Sequence, residues 1–304
     1  MKFDVIGIGA LNVDKLFLVE RIARGDEESS VIDFAEACGG SAANTMVALA
    51  RLGLKTGYIG KIVYDREGNL LLNDFKKEMV DTRGIVIAKN GRSGVVMGFV
   101  DKKGERAMYI DAGANSALTL EEIDLQYANS TFFMHLSSFV SESAFQVQKK
   151  LTSSLSPDVK LSLDPGDLYA DKGLTALKPI IERCLVIFPN EHELKLLTNE
   201  HYKKGAETLL NKGARIVAVK LGPKGCYVTD GKEKHLIPSY PAKVVDTTGA
   251  GDAFCAGFLY GLVKNKNLRQ CGKIGNFVAS KCIEKVGARA GLPYLAELPE
   301  NLRY

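Results

Sequence analysis

The chain has 304 residues, 46% of them hydrophobic and 25% charged, with a formal net charge of +4 at pH 7. These proportions are ordinary for a soluble globular protein. Lysine, arginine and acids are interspersed, with no basic block of the kind that grips nucleic acid or a membrane surface. No run approaches the ~20 apolar residues that span a bilayer, and MKFDVIGIG opens as a strand rather than a secretory leader, so a cytoplasmic protein is expected. The six cysteines form no C-x-x-C pair and the four histidines are dispersed, which argues against a zinc site or a disulfide framework. Thirty glycines, against a usual share of ~7%, favour many tight turns beside a ligand over a helical bundle.

Taken in chain order, residues 3–9 form the first expected strand, and residues 16–37 look like strands with no helix between them. SAANTMVALARLG fits a helix best: Ala43, Met46, Val47 and Ala50 share a face, and Gly53 supplies the stop. Residues 67–80, 142–155 and 203–213 are helix-like, whereas 159–164, 184–188 and 215–221 read as buried strands. In 93–113, Val95, Met97 and Phe99 alternate, and Asp101-Lys102-Lys103-Gly104 makes a hairpin turn. The lead-in AKVVD (242–246) is strand-like, and an apolar helix is expected from about residue 250 to near Val263. Strand–helix alternation on this scale implies a mostly parallel sheet covered by helices. The two helix-poor segments would add to its edge or form a small separate sheet acting as a flap.

Parallel α/β sheets bind ligands beyond the carboxyl ends of their strands. Polar or glycine residues stand there repeatedly: Asn12 and Asp14, Asp164-Pro165-Gly166, Asn190 to Glu193, Gly222 to Gly225, and DTTGAGD from Asp246 to Asp252. GIGALN offers G-x-G without the third glycine or a following helix, which excludes a nicotinamide fingerprint. LGPKG (221–225) is not a Walker loop; a plain hairpin turn and a ligand loop both remain open for it. In DTTGAGD, ordinary helix initiation would explain Asp252 but leave both glycines and Asp246 unused. A phosphoryl-transfer site uses them all. Backbone NH groups around Gly249, Ala250 and Gly251 would cradle a phosphoryl group gaining charge, and Asp252 would take the proton of an attacking hydroxyl.

GGSAANTMVALARLG near residue 40 and VVDTTGAGDAFCAGF near residue 250 resemble the two signatures of the PfkB family of carbohydrate kinases, across essentially the whole chain. The resemblance implies a ribokinase-like three-layer α/β sandwich with a mostly parallel central sheet. It implies one kinase domain over 1–304, with a β-sheet lid inserted from about 14–38 and 92–113. It implies Asp252 as catalytic base and Gly249, Ala250 and Gly251 as anion hole. Asn12, Asp14, Gly39, Gly40 and Asn44 match the acceptor-binding set; Asn190, Lys220, Gly222, Gly225 and Asn276 match the nucleotide side. Glu193 would organise Mg2+ through water, and Asp246 with Thr248 would brace the turn or join a potassium site completed by carbonyls of VGARAG (286–291). The implied reaction moves the γ-phosphoryl of ATP to a hydroxyl of a small sugar, sugar phosphate or nucleoside, with ADP as donor not excluded.

Ser41 replaces the lysine of ribokinases proper, and Ser137-Ser138 replace a ribose-facing glutamate, which speaks against free ribose as sole substrate. Arg83 and Arg106 could supply charge for a phosphorylated sugar. An ADP-dependent ribose-1-phosphate kinase and a non-catalytic sugar or nucleotide sensor are the alternatives. Partners are expected to be small molecules, not nucleic acid or membrane, and exposed lid strands could pair edge to edge in a homodimer.

Overall fold

A computed structural model describes residues 2–303. In chain order the elements are β1 Phe3–Ile8, β2 Asn12–Val19, β3 Val31–Gly39, α1 Ser41–Arg51, β4 Thr56–Val63, α2 Arg66–Lys77, β5 Asp81–Ala88, β6 Gly94–Asp101 and β7 Arg106–Asp111. There follow α3 Leu125–Ala128, β8 Thr131–Ser137, α4 Glu142–Ser154, β9 Lys160–Asp164, α5 Gly166–Ala170, α6 Gly173–Ile181, β10 Cys184–Ile187, α7 Glu191–Thr198 and α8 Tyr202–Asn211. The last are β11 Ile216–Lys220, β12 Cys226–Thr229, β13 Lys234–Ile237, α9 Ala250–Val263, α10 Leu268–Cys282 and α11 Glu300–Arg303.

Nine strands form the main sheet in the order β13-β12-β11-β10-β9-β8-β1-β4-β5. From β11 to β5 every pairing is parallel, and β12 and β13 close one edge as antiparallel ribbons. Both faces are covered, which is why its strands are apolar on both sides. In β11 the period of two is clear: Ile216 and Ala218 enter the core shared with α1, α2, α9 and α10, while Val217 and Val219 enter the core shared with α3 to α8. The result is the three-layer α/β sandwich that the sequence implied.

Strands β2, β3, β6 and β7 make a second sheet in the order β3-β2-β6-β7. Its β6–β7 turn is the expected hairpin: Gly104 has φ 83°, and the Asp101 carboxylate accepts from the NH groups of Lys103 and Glu105 at 2.8 and 2.9 Å. Three residues separate the end of β1 from the start of β2, so the second sheet grows directly out of the main sheet's carboxyl edge.

One element differs from expectation. Residues 242–246 form no strand, and Val244 and Val245 are exposed. Val245 NH donates to the carbonyl of Ile283 at the end of α10, 2.8 Å away, so the segment is tied to a helix end and joins no strand. LGPKG is indeed a hairpin connection, joining β11 to the antiparallel β12.

Candidate active site

Two helix N-termini converge at the carboxyl edge of the sheet. Helix α1 starts after Gly40, whose φ of 109° disfavours a side chain and whose Cβ would lie 2.2 Å from the carbonyl oxygen of Ala10. Gly40 cannot cap the helix, and Ser137 at the end of β8 does so instead, its Oγ accepting from Ala42 NH at 3.1 Å. Ser137, one of the two serines noted where the resemblance implies a glutamate, thus anchors α1. At the other end the NH of Leu54 returns to the carbonyl of Leu49 across Gly53 (φ 82°), the Schellman arrangement. Helix α9 starts after Gly249, with φ 77° and a Cβ that would lie 2.6 Å from Cα of Ala288.

The two helices pack together and bring Asp252, in the first turn of α9, onto α1. Ser41 Oγ donates to Asp252 Oδ1 at 2.7 Å, and Asn44 Nδ2 donates to Oδ2 at 2.8 Å. Burial pushes the Asp252 carboxyl up to about 6, and Asp164 adds to that shift. The bonds from Asn44 and Ser41 oppose it.

Asn12 and Asp14 open β2, paired with the Gly39 end of β3 that leads into α1. Asn115 fixes Asn12: its Nδ2 donates to Asn12 Oδ1 at 2.9 Å, leaving the Asn12 NH2 as the donor that side chain offers. Asp14 lies across Gly39, where a Cβ would come within 2.2 Å of its Oδ2. The double glycine is therefore required twice, once for the acid and once for the helix entry. Burial raises Asp14 to about 6, against the pull of Arg289.

Beneath the loop lies a buried ionic cluster. Lys220 Nζ is 2.8 Å from Asp164 Oδ1 and 3.9 Å from Glu193 Oε2. A Cβ on Gly251 would lie 3.3 Å from the same Nζ, so the ammonium sits directly under the helix start. Burial alone would depress Lys220, but Asp164, Cys255 and Glu193 together outweigh it and the lysine stays charged. Cys255 Sγ donates to Asp164 Oδ2 at 3.5 Å. Glu193 and Asn190 form a capping box on α7, with Glu193 Oε2 accepting Asn190 NH at 2.8 Å. Burial pushes Glu193 up, and Lys220 opposes the shift.

Asp246 braces the loop. Its Oδ1 accepts from Thr248 NH and Oγ at 2.9 and 2.7 Å, and Oδ2 from Gly287 NH at 2.8 Å. Gly222 and Gly225 stand at the β11–β12 hairpin, Gly225 with φ 92°. Asn276 is buried in α10, and its amide is engaged structurally: Nδ2 donates to the carbonyls of Ile237 and Pro238 at 3.1 and 2.9 Å.

The arginine beside Asp14 is not one the sequence singled out. Arg83 lies at the amino end of β5, opposite the site, and pairs with Asp81. Arg106 is on β7, within electrostatic reach of Asp246. Arg289, from the loop after α10, takes the inner place: its Nε donates to Asn44 Oδ1 at 2.7 Å and its Nη1 pairs with Asp74. Sequence reasoning valued VGARAG only for its carbonyls. Asp164 stood among the strand-end residues without a role.

Residues 2–295 match the family described as pfkB family carbohydrate kinase. This chain belongs to that family. The PfkB chain is 45% identical over 250 residues to an uncharacterized sugar kinase of Archaeoglobus fulgidus, covering 81% of this chain and 98% of that one. It is 30% identical to an ATP-dependent ribose-1-phosphate kinase of Halopiger xanaduensis over 94% of each chain. In three dimensions it matches the Arabidopsis thaliana ribokinase solved with ribose and ATP, with a TM-score of 0.89 over 100% of both chains at 25% identity. As a PfkB member it is a sugar kinase, a phosphotransferase with a ribokinase fold. Among the described residues no helix is long and apolar enough to cross a membrane.

Proposed function

We propose that this kinase moves the γ-phosphoryl of ATP to a hydroxyl of a small sugar, sugar phosphate or nucleoside. The observation that carries the reading is the carboxylate of Asp252 at the head of α9, behind Gly249-Ala250-Gly251 and above the Lys220 ammonium. The open helix end and the ammonium would stabilise charge growing on the transferred phosphoryl. Asp14 and the Asn12 NH2 would fix neighbouring hydroxyls of the acceptor, so that one hydroxyl faces Asp252 and gives up its proton as the new P–O bond forms. Ser41 Oγ and Asn44 Nδ2 hold the base ionised and aimed. The second sheet, as a lid, would exclude water that otherwise competes as acceptor.

Glu193 and Asp164 suit Mg2+ held through water: both carboxylates already have protein partners, and among the described residues no cluster of three metal-ligating side chains stands ready for direct coordination. When bound with nucleotide, the ion would supply neutralisation of the phosphates. Asp246 uses one oxygen on Thr248 of its own loop and the other on the Gly287 NH of the late loop, which supports the bracing role; potassium is an arm of the test. Exposed Val31, Ile32, Phe34, Met108 and Tyr109 on the second sheet favour a homodimer, which sedimentation equilibrium would check.

A phosphorylated pentose as acceptor is favoured by Arg289, a cation in electrostatic reach of Asp14, and by the Halopiger relative. The deciding experiment is an acceptor panel of ribose, ribose 1-phosphate, nucleosides, fructose, fructose 6-phosphate and 2-keto-3-deoxygluconate, each with ATP or ADP, with and without potassium. Transfer to one class identifies the acceptor. Tight nucleotide or sugar binding without transfer to any acceptor would overturn the kinase reading in favour of a sensor.

A further inference from the structure

Asn44 holds the base through one end of its amide, and the other end is not free. Asn44 Oδ1 accepts from Arg289 Nε at 2.7 Å while Nδ2 donates to Asp252 Oδ2 at 2.8 Å. An amide turned by 180° would present its oxygen to Asp252, and an oxygen can bond only the protonated acid. A guanidinium NH on one side is incompatible with that turn, because it would then face an NH2.

Arg289 is itself held from two directions. Its Nη1 pairs with Asp74 of α2, and its guanidinium lies over the ring of Phe75, 5.9 Å from the centroid. Its backbone carbonyl is fixed separately, accepting from Arg51 Nη1 at 2.7 Å, and Arg51 is paired with Glu78. The loop is thereby anchored without the Arg289 side chain. The side chain adds a second tie, to α2, and has a directed partner in the site.

We propose that Arg289 is a positioning residue that fixes the Asn44 amide with its NH2 toward Asp252, and so keeps that carboxyl in its proton-accepting form. The relay runs Asp74, Arg289, Asn44, Asp252, across α2, the loop after α10, α1 and α9. It rests on Asp252 being the base, and it adds a control on the base's protonation that no residue of the glycine loop supplies. The other groups facing Asp252 are Ser41 of α1, Asp164 of β9, Lys220 of β11, Cys255 of its own helix, Cys282 of α10 and Tyr58 of β4. None of them touches the Asn44 oxygen in the observed hydrogen bonding; Arg289 does.

The test titrates Asp252 itself and needs no substrate. Infrared difference spectra of protein carrying 13C-carboxyl aspartate, subtracted against Asp252→Asn, report the Asp252 carboxylate band against pH. In Arg289→Met the midpoint is expected to rise by about one pH unit, a tenfold change in the protonation equilibrium. Arg289→Lys, which keeps a donor for the Asn44 oxygen, should recover part of that rise. In an Asn44→Ala background, Arg289→Met should add nothing, because the relay is already cut. An unchanged midpoint in folded Arg289→Met, or an equal shift in the Asn44→Ala background, would overturn the relay. Should Arg289→Met prove unfolded by circular dichroism, Arg289→Leu, which likewise offers no donor to the Asn44 oxygen, takes its place under the same two criteria. Failure of the base reading shows separately, as turnover surviving in Asp252→Asn.

Discussion

Asn44 and Asp252 stand 208 positions apart in the chain, yet Asn44 Nδ2 donates to Asp252 Oδ2 at 2.8 Å. Each belongs to a helix entered through a glycine in the left-handed region, Gly40 and Gly249. Two positive helix ends therefore face one carboxylate, together with two side-chain donors. That is the arrangement needed by an acid that must stay ionised while sitting next to phosphate charge and Asp164.

The first prediction concerns pH. Asp252 and Asp14 are both raised to about 6, mainly by burial. Turnover needs the unprotonated base, so kcat should be level above neutrality and fall about tenfold per unit once pH drops below about 6. Loss of Asp14's charge in the same window should raise the acceptor KM. Initial rates measured from pH 5 to 8.5 check this; a kcat flat down to pH 5 would remove Asp252 as base.

Replacing Asp252 by Asn should cut turnover roughly a hundred- to ten-thousandfold while nucleotide binding survives. It should also stabilise the fold. A carboxyl with a folded-state pKa near 6 and a reference value of 3.8 favours folding below the reference value, and that contribution is lost as pH rises through 6. At pH 8 the wild type carries a cost of about 3 kcal/mol that Asn lacks, and at pH 4 most of it is gone. Thermal unfolding should show Asp252→Asn above the wild type at pH 8 by a few degrees, with the gap shrinking at pH 4.

Much of this was legible in the sequence, and the reasons are local. Period-two strands and the Gly40 and Gly249 punctuation carry their signal within a dozen residues, so the sandwich, the hairpin after Asp101 and the start of α9 could be read directly. AKVVD misled because a short apolar, β-branched run marks strand propensity and not pairing, and here Val244 and Val245 are exposed outside both sheets. Arg289 was illegible for a different reason. Its partners Asn44 and Asp74 lie 245 and 215 positions away, and an arginine in a late loop carries no local mark of facing inward. Ser137 likewise looked like a missing substrate residue, when its hydroxyl caps α1.

Asp14→Ala separates acceptor from donor. The carboxyl is half-buried over Gly39, on the second sheet and away from the Lys220 cluster. Losing a charged hydrogen-bonding partner should raise the acceptor KM by roughly tenfold to a hundredfold, corresponding to about 1.5–3 kcal/mol, with nucleotide KM nearly constant. Steady-state kinetics with each substrate varied in turn tests the split; an unchanged acceptor KM would show that Asp14 does not touch the acceptor.

Gly251 and Gly249 should fail in different ways when given a side chain. Gly249 has φ 77° and its Cβ would meet Cα of Ala288 at 2.6 Å, so Gly249→Ala should lose stability first, seen as a lowered Tm. Gly251 has no such strain, and its Cβ meets the end of the Lys220 side chain at 3.3 Å. Gly251→Val should therefore fold, with a Tm near the wild type, while its methyl groups fill the space over the ammonium where phosphate must approach. The expected loss in kcat/KM is roughly a hundredfold to a thousandfold, the range for removing one charge-stabilising element of a transition state. Gly251→Ala should lie between. A folded Gly251→Val enzyme of full activity would mean that the phosphoryl group does not pass over this helix end.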